Sequence, residues 1–222
     1  GRKISKSDGK PQTAESFVAR FGADVLRLWV CSEDFRNDVP VSDEIFQQVT
    51  QIYRSIRNTL RFQLGNMSDF DLSRDGVPLA ELSSLDQWAL RETVVMLEEV
   101  TVAYEANEFH KVVQLINRFC GGVLSAMYHD VLKDRLYTLD PSDPLRRSSQ
   151  TTIDMIFQIL VRILGPIIPY TADEAWAYHL TGEDFTEEAL CLQPWPKADH
   201  SCYNEEVVAE VGAIFEFKTN ML

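Results

Sequence analysis

The stretch SDEIFQQVTQIYRSIRNTLRFQLG, residues 42–65, decides the fold class of this chain. Its apolar residues recur every three or four positions, which is the period of a helix that buries one face. They are Ile45, Val49, Ile52, Ile56 and Leu60. Ser42, followed by two acidic residues, is a typical helix N-cap, and Gly65 is a typical stop. The stretch therefore predicts a long amphipathic helix that packs against other elements.

Two shorter helices are predicted before this stretch. The segment from Glu15 to Ser32 is rich in apolar residues, and Gly22 divides it. Because glycine lowers helix propensity by about 1 kcal/mol relative to alanine, we expect the helix to break there. Phe35 to Val41 is predicted to be a connector.

Two long helical segments are predicted after it, beyond a turn-rich linker at residues 68–83. Residues 84–87, Ser-Leu-Asp-Gln, have the form of a capping box, and we expect their helix to end near Asn107. Residues 109–137 form the second segment, with Gly121 and Gly122 in its middle. This glycine pair predicts a kink or a close contact between helices.

The remaining third of the chain is also mostly helical in pattern. Apolar residues from Ile153 to Leu164 predict a helix that ends at Gly165, which precedes a proline. Residues 171–174, Thr-Ala-Asp-Glu, resemble a capping box that opens another helix. Leu190 to Trp195 is the one segment predicted to be extended, and residues from Asn204 onward are predicted to be helical again.

These elements predict a mainly all-α fold, a helical bundle. We divide it into residues 1–40, a polar loop and connecting helices; residues 41–196, the main helical domain; and residues 197–222, the start of a further C-terminal helix. A polar, Lys- and Ser-rich start and a helical end without a stop signal lead us to expect a piece of a longer protein.

The charge of the chain is strongly negative but uneven. The net charge is −13 over 222 residues, with +2 in residues 1–62 and −15 in the remainder. Such acidity argues against a general nucleic-acid binder, so any RNA contact needs a local basic surface that acts within the screening distance of roughly 8–10 Å. A free-standing helical interaction module therefore remains an alternative function.

Composition also limits other functions. The four cysteines are scattered and form no C-x-x-C pair, which argues against a zinc site and a disulfide scaffold. There is no run of about 18 apolar residues and no secretory segment at the start, so we predict no membrane partner and a cytoplasmic location. The four histidines have no triad or ligand spacing, and we assign them no chemistry.

The candidate RNA contacts are arginines. Arg54, Arg57 and Arg61 are spaced to share one face of the predicted long helix, roughly opposite its apolar stripe. We predict that this face contacts an RNA backbone; a solvated basic face that pairs with nearby acids is the alternative. Arg146 and Arg147, predicted to lie in a loop before a helix, are the second candidate pair for phosphate.

Other conspicuous residues favour structural roles. Trp88 and Trp176 could stack on unpaired bases, but their periodic helices favour core packing. Lys133, Asp134 and Arg135 form a charged triplet at a helix end, for which we favour a salt-bridged structural corner.

The start of the chain carries a motif. Residues 3–7, Lys-Ile-Ser-Lys-Ser, place two ammonium groups and two hydroxyls on one loop, which suits contact with a polyphosphate. The loop resembles the K-M-S-K-S signature of class I aminoacyl-tRNA synthetases, and FGADVLRLW, residues 21–29, resembles the helix that follows it in that family. Segments 57–66, 133–137 and 165–176 resemble the isoleucine branch, so the likeness covers roughly residues 2–196.

The resemblance implies a fold and a function. It implies a tRNA-binding helical domain of an enzyme that attaches isoleucine to its tRNA with ATP and Mg²⁺; the same domain of a valine, leucine or methionine synthetase is the alternative. Lys3, Ser5, Lys6 and Ser7 would contact ATP, although Asp8 differs from the usual pattern. Because the family's H-I-G-H motif and parallel-sheet domain are absent, we expect no complete catalytic site, no bound cofactor and no activity from this chain alone.

Overall fold

Helices form the regular structure of this protein. The computed structural model describes residues 13–39 and 41–220, and within them it contains no β-strand, which confirms the mainly all-α prediction. The α-helices are α1 (Ala14–Phe21), α2 (Ala23–Ser32), α3 (Asp43–Asn66), α4 (Leu72–Asp75), α5 (Ser84–Glu105), α6 (Phe109–Arg118), α7 (His129–Thr138), α8 (Pro144–Leu164), α9 (Pro169–Thr181) and α10 (Glu205–Asn220).

Helix α3 matches the prediction at its start and overruns it at its end. The Ser42 hydroxyl accepts a hydrogen bond from the Ile45 amide at 3.3 Å, as expected for an N-cap. The apolar stripe is buried, with Ile56 and Leu60 almost inaccessible to solvent. The predicted stop at Gly65 is wrong, because this residue stays in helical geometry and the helix ends at Asn66.

Helix α5 begins one residue earlier than predicted. Its N-cap is Ser83, whose hydroxyl accepts from the Asp86 amide, so the capping box assigned to residues 84–87 is wrong by one position. The Asp86 carboxylate is fully buried and binds several donors. These are the hydroxyls of Tyr128 at 2.6 Å, Ser83 at 2.7 Å, Ser148 at 2.7 Å and Ser149 at 3.2 Å, and the Arg135 guanidinium at 3.4 Å.

The glycine pair of the long central segment lies in a π-helix. Phe119–Tyr128 has π geometry and joins α6 to α7, with Asn107 at φ 56° preceding α6. Beyond the adjacent residues and the backbone of its own helix, a Cβ atom built on Gly121 or Gly122 would meet no atom within 4 Å. The glycines therefore permit no unusual close contact; the deviation from α geometry takes the form of a π segment.

Two predictions in the last third are wrong in their boundaries. Helix α8 begins at Pro144 after an Asp143 cap that accepts from Leu145 N at 2.8 Å, so Arg146 and Arg147 lie in its first turn and not in a loop. Helix α9 begins at Pro169, and Thr171 lies inside it instead of capping it.

The segment predicted to be extended is also different. Leu190–Leu192 forms a 3₁₀ turn, in which Leu190 is buried and its amide donates to the Asp173 carboxylate at 3.1 Å. Further 3₁₀ turns cover Leu79–Glu81 and His200–Cys202.

Aromatic rings join the first two helices and the last helix to the bundle. Between α1 and α2, Gly22 adopts φ 89°, and the rings of Phe17 and Trp29 pack on Phe46 of α3 with centroid distances of 4.4 and 5.1 Å. At the other end of the chain, Phe215 of α10 packs on Trp88 of α5 at 4.5 Å.

Candidate nucleic-acid interface

The exposed face of α3 is basic. Arg54, Arg57 and Arg61 are all exposed, and no acidic residue occurs between Ile45 and Asn66. Within the described part of the chain, the guanidinium groups of these arginines form no ion pair and no hydrogen bond. The three guanidinium groups therefore present a concentrated positive charge on a protein whose net charge is −13.

A groove of about 1060 Å³ runs beside this arginine face. Arg57 and Arg61 of α3 line one side, and Glu174 and Tyr178 of α9 line the other. The groove therefore lies between α3, which contributes arginines to its lining, and α9, which contributes a glutamate.

The floor of the groove holds a buried acid and a histidine. Asp154 Oδ1 lies 3.3 Å from His179 Nε2, and Gln158 donates to Asp154 Oδ2 at 2.7 Å. Burial raises the pKa of the Asp154 carboxyl, and it lowers the pKa of His179 although the nearby carboxylate opposes that shift. The Asp154 carboxylate thus lies within reach of both His179 and Gln158, which ties α8 to α9 at the bottom of the groove.

Arg146 and Arg147 are engaged within the fold. The Arg146 guanidinium donates to Asp69 Oδ2 at 2.8 Å, and Arg147 donates to the Asp69 carbonyl at 3.1 Å and to Gln150 at 2.8 Å. Their side chains are only 17% and 15% exposed. This geometry favours a role in fixing the linker between α3 and α5, and their contact with RNA stays a prediction.

The other conspicuous residues take structural positions. Trp88 and Trp176 are buried, and Trp176 Nε1 donates to the Glu188 carbonyl at 3.0 Å, so both are core residues. Arg135 joins the Asp86 cluster and Lys133 pairs with Asp130 at 3.0 Å, which agrees with the predicted salt-bridged corner. The predicted ATP contacts Lys3, Ser5, Lys6 and Ser7 lie outside the described residues.

Residues 13–39 and 41–220 contain no cluster of three or more histidine, cysteine or acidic residues that could hold a metal ion. None of their helices combines the length and hydrophobicity that crossing a bilayer requires.

The floor of the groove and its α9 side were not predicted from the sequence. Asp154 and Gln158 are spaced i, i+4 and lie among apolar residues of α8, a pattern that marks a polar position inside a core. Their proximity to His179 depends on the packing of α8 against α9, which the sequence alone does not show.

A helical bundle with an exposed, acid-free arginine face has the architecture expected of a helical nucleic-acid-binding domain. Residues 86–220 match the model of the family described as the anticodon-binding domain of tRNA ligases, and the chain belongs to that family. The matched part begins inside α5 and ends with α10.

Similar proteins are isoleucine–tRNA ligases. The one from Moorella thermoacetica is 44% identical over 93% of this chain and 22% of its own length. The one from Desulfotalea psychrophila is 39% identical over 100% of this chain and 24% of its own, and the one from Desulfitobacterium hafniense DCB-2 is 46% identical over 80% and 19%. The chain thus spans at most a quarter of the length of these curated relatives.

A solved structure shares the fold. The Agrobacterium radiobacter K84 agnB2 LeuRS, crystallised in a ternary complex with tRNA and LeuAMS, superposes with a TM-score of 0.66 at 20% sequence identity. The similarity covers 94% of this chain and 23% of that chain.

Proposed function

We propose that this chain is the tRNA-binding part of an isoleucine–tRNA ligase and contacts its tRNA through the arginine face of α3. The observation that carries this proposal is the set of three exposed arginines without acidic partners in the described part of the chain. Each phosphate that a guanidinium neutralises releases counterions, and this provides affinity despite the negative charge elsewhere. The isoleucine ligases at 39–46% identity support the choice of isoleucine tRNA.

In the full-length ligase, the reaction would require the other parts of the enzyme. The ligase would attach isoleucine to tRNA with ATP and Mg²⁺, and Lys3, Ser5, Lys6 and Ser7 would contact ATP phosphates from their loop. Ammonium groups near a phosphate stabilise the negative charge that develops during nucleotidyl transfer. This chain would position the tRNA and perform no reaction alone, and we place it in the cytoplasm.

A triple substitution tests the proposed contact. Replacing Arg54, Arg57 and Arg61 with glutamine should weaken the binding of isoleucine tRNA by roughly a hundredfold at 0.1 M salt and should reduce the salt slope by about 2–3, because three phosphate contacts are lost. Binding is measured by filter retention or fluorescence anisotropy over a series of salt concentrations.

The matched control makes the same change of charge elsewhere. Arg74, Arg91 and Arg118 are arginines that pair with Asp75, Glu92 and Glu99. Replacing these three with glutamine should leave the salt slope unchanged. Equal losses in both triple variants would mean that net charge alone governs binding, and unchanged binding in the α3 variant would favour the helical interaction module.

A further inference from the structure

Helix α2 is fixed to the corner between α8 and α9 by two charged side chains. Asp24 is buried, and its carboxylate accepts from the Thr171 amide at 2.7 Å and from the Tyr170 amide at 3.4 Å. Arg27, one turn further along α2, donates to the Ile167 carbonyl at 3.0 Å and the Pro166 carbonyl at 2.8 Å. One face of α2 thus supplies an anion and a cation to adjacent backbone groups.

This arrangement satisfies the start of α9 from a distant part of the chain. The N-cap residue Ile168 has no side chain that can accept a hydrogen bond, so the first amides of α9 have no local partner. An anion at a helix N-terminus also interacts favourably with the helix dipole. Asp24 fulfils both roles across 147 residues of sequence, so α2 supplies the cap of α9 that the local sequence lacks.

Thr171 also forms a hydrogen bond with α3. The Thr171 hydroxyl lies 2.8 Å from the Tyr53 hydroxyl. Tyr53 directly precedes Arg54 and lies one turn before Arg57 on α3. A continuous set of contacts therefore runs from α2, through the first turn of α9, to the helix that carries the arginine face.

We propose that Asp24, Thr171 and Tyr53 form a positioning relay that sets the arginine face of α3 relative to α1 and α2. The inference rests on the proposed function. In the full-length ligase, the relay orients a tRNA held by the arginine face, so that its acceptor end meets the catalytic part in reactive geometry. Loss of the relay leaves tRNA affinity intact and slows transfer of isoleucine to the tRNA, because affinity depends on the arginines and the rate depends on alignment.

Single hydroxyl deletions in the full-length ligase test the relay. Tyr53→Phe and Thr171→Val each remove one hydroxyl with little change of volume, whereas Thr171→Ser retains it. Tyr104→Phe is the matched control, because the Tyr104 hydroxyl donates at 2.7 Å to the Ile163 carbonyl, between α5 and α8. The measurements are tRNA affinity, ATP–pyrophosphate exchange, and single-turnover transfer from the preformed isoleucyl adenylate.

Transfer should slow about tenfold in Tyr53→Phe and Thr171→Val, since small misplacement of a substrate costs large factors in rate. The tRNA affinity and the exchange rate should stay within about twofold of the unmodified enzyme, and Thr171→Ser should restore transfer. Unchanged transfer in both variants, weaker tRNA binding with normal transfer, or an equal loss in Tyr104→Phe would each overturn the relay.

The arginine variants separate the two proposals. If the α3 triple variant loses tRNA binding but the relay variants transfer normally, the relay is wrong and the tRNA face stands. If the α3 triple variant binds tRNA normally, the proposed tRNA face itself is wrong.

Discussion

At the scale of single residues, buried polar groups specify how the helices pack. Asp86 is inaccessible to solvent and receives hydrogen bonds from α7, α8 and the π segment. Burial and the negative charge of Asp86 raise the pKa of the Tyr128 hydroxyl, which keeps it protonated as a donor. One carboxylate therefore holds four helical segments in register.

Asp86→Ala should destabilise the chain by about 3–5 kcal/mol, because it leaves Tyr128 and Arg135 without their buried acceptor. The free energy of unfolding from urea titration measures the loss. Glu99→Ala, which removes an exposed pair with Arg118, should cost no more than about 1 kcal/mol. Similar losses for both variants would contradict a central role for Asp86.

His129 should make stability depend on pH. Burial lowers the pKa of His129 to about 3, below its ordinary value near 6.5. Between these two pH values, the unfolded chain binds a proton at His129 that the folded chain does not bind. The free energy of unfolding therefore decreases as the pH falls from 6.5 towards 3, and His129 contributes up to about 1.4 kcal/mol per pH unit to this decrease.

Unfolding free energies measured from pH 7 to pH 4 check this dependence. His129→Gln should show a shallower decrease than the unmodified chain. His200→Gln, a change at an exposed position, should keep the contribution of His129. The same slope in all three proteins would rule out His129 as its source.

At the scale of elements, sequence periodicity predicts the helices but not all of their ends. The stripe of α3 and the break at Gly22 follow from spacing and glycine geometry, and the structure has both. Proline favours the first position of a helix, as Pro169 has in α9, but the acceptor of the first α9 amides could not be predicted, because it is Asp24, which is remote in sequence. The arginine face of α3 was predictable, because it depends on local spacing alone. The ion pair of Arg146 with Asp69 was not, because the two residues are remote in sequence.

The glycines of two elements should respond in opposite ways to alanine. Gly122→Ala should stabilise the chain by about 0.4–1 kcal/mol, because a Cβ meets no atom within 4 Å and the unfolded chain loses freedom. Gly22→Ala should destabilise it by about 1 kcal/mol or more, because φ is 89° there. Thermal unfolding compares the two, and destabilisation by Gly122→Ala would show that the π segment needs the glycine.

At the scale of the whole molecule, charge is separated. Residues 63–222 have a net charge of −15, while the arginine face of α3 has three arginines and no acidic residue. Long-range repulsion of RNA by the acidic surface is screened within roughly 8–10 Å, and we therefore propose that the short-range contacts of α3 determine whether RNA binds. Under this proposal the acidic remainder disfavours other polyanion contacts, and a bound tRNA should take one orientation.

A titration of the chain with isoleucine tRNA and with an unrelated tRNA, at several salt concentrations, tests the proposed tRNA face most directly. Isoleucine tRNA should bind more tightly, with a steep salt dependence whose slope the triple substitution of Arg54, Arg57 and Arg61 reduces by about 2–3. Equal and weak binding of both tRNAs, with a slope that the substitutions do not change, would show that α3 does not bind the tRNA.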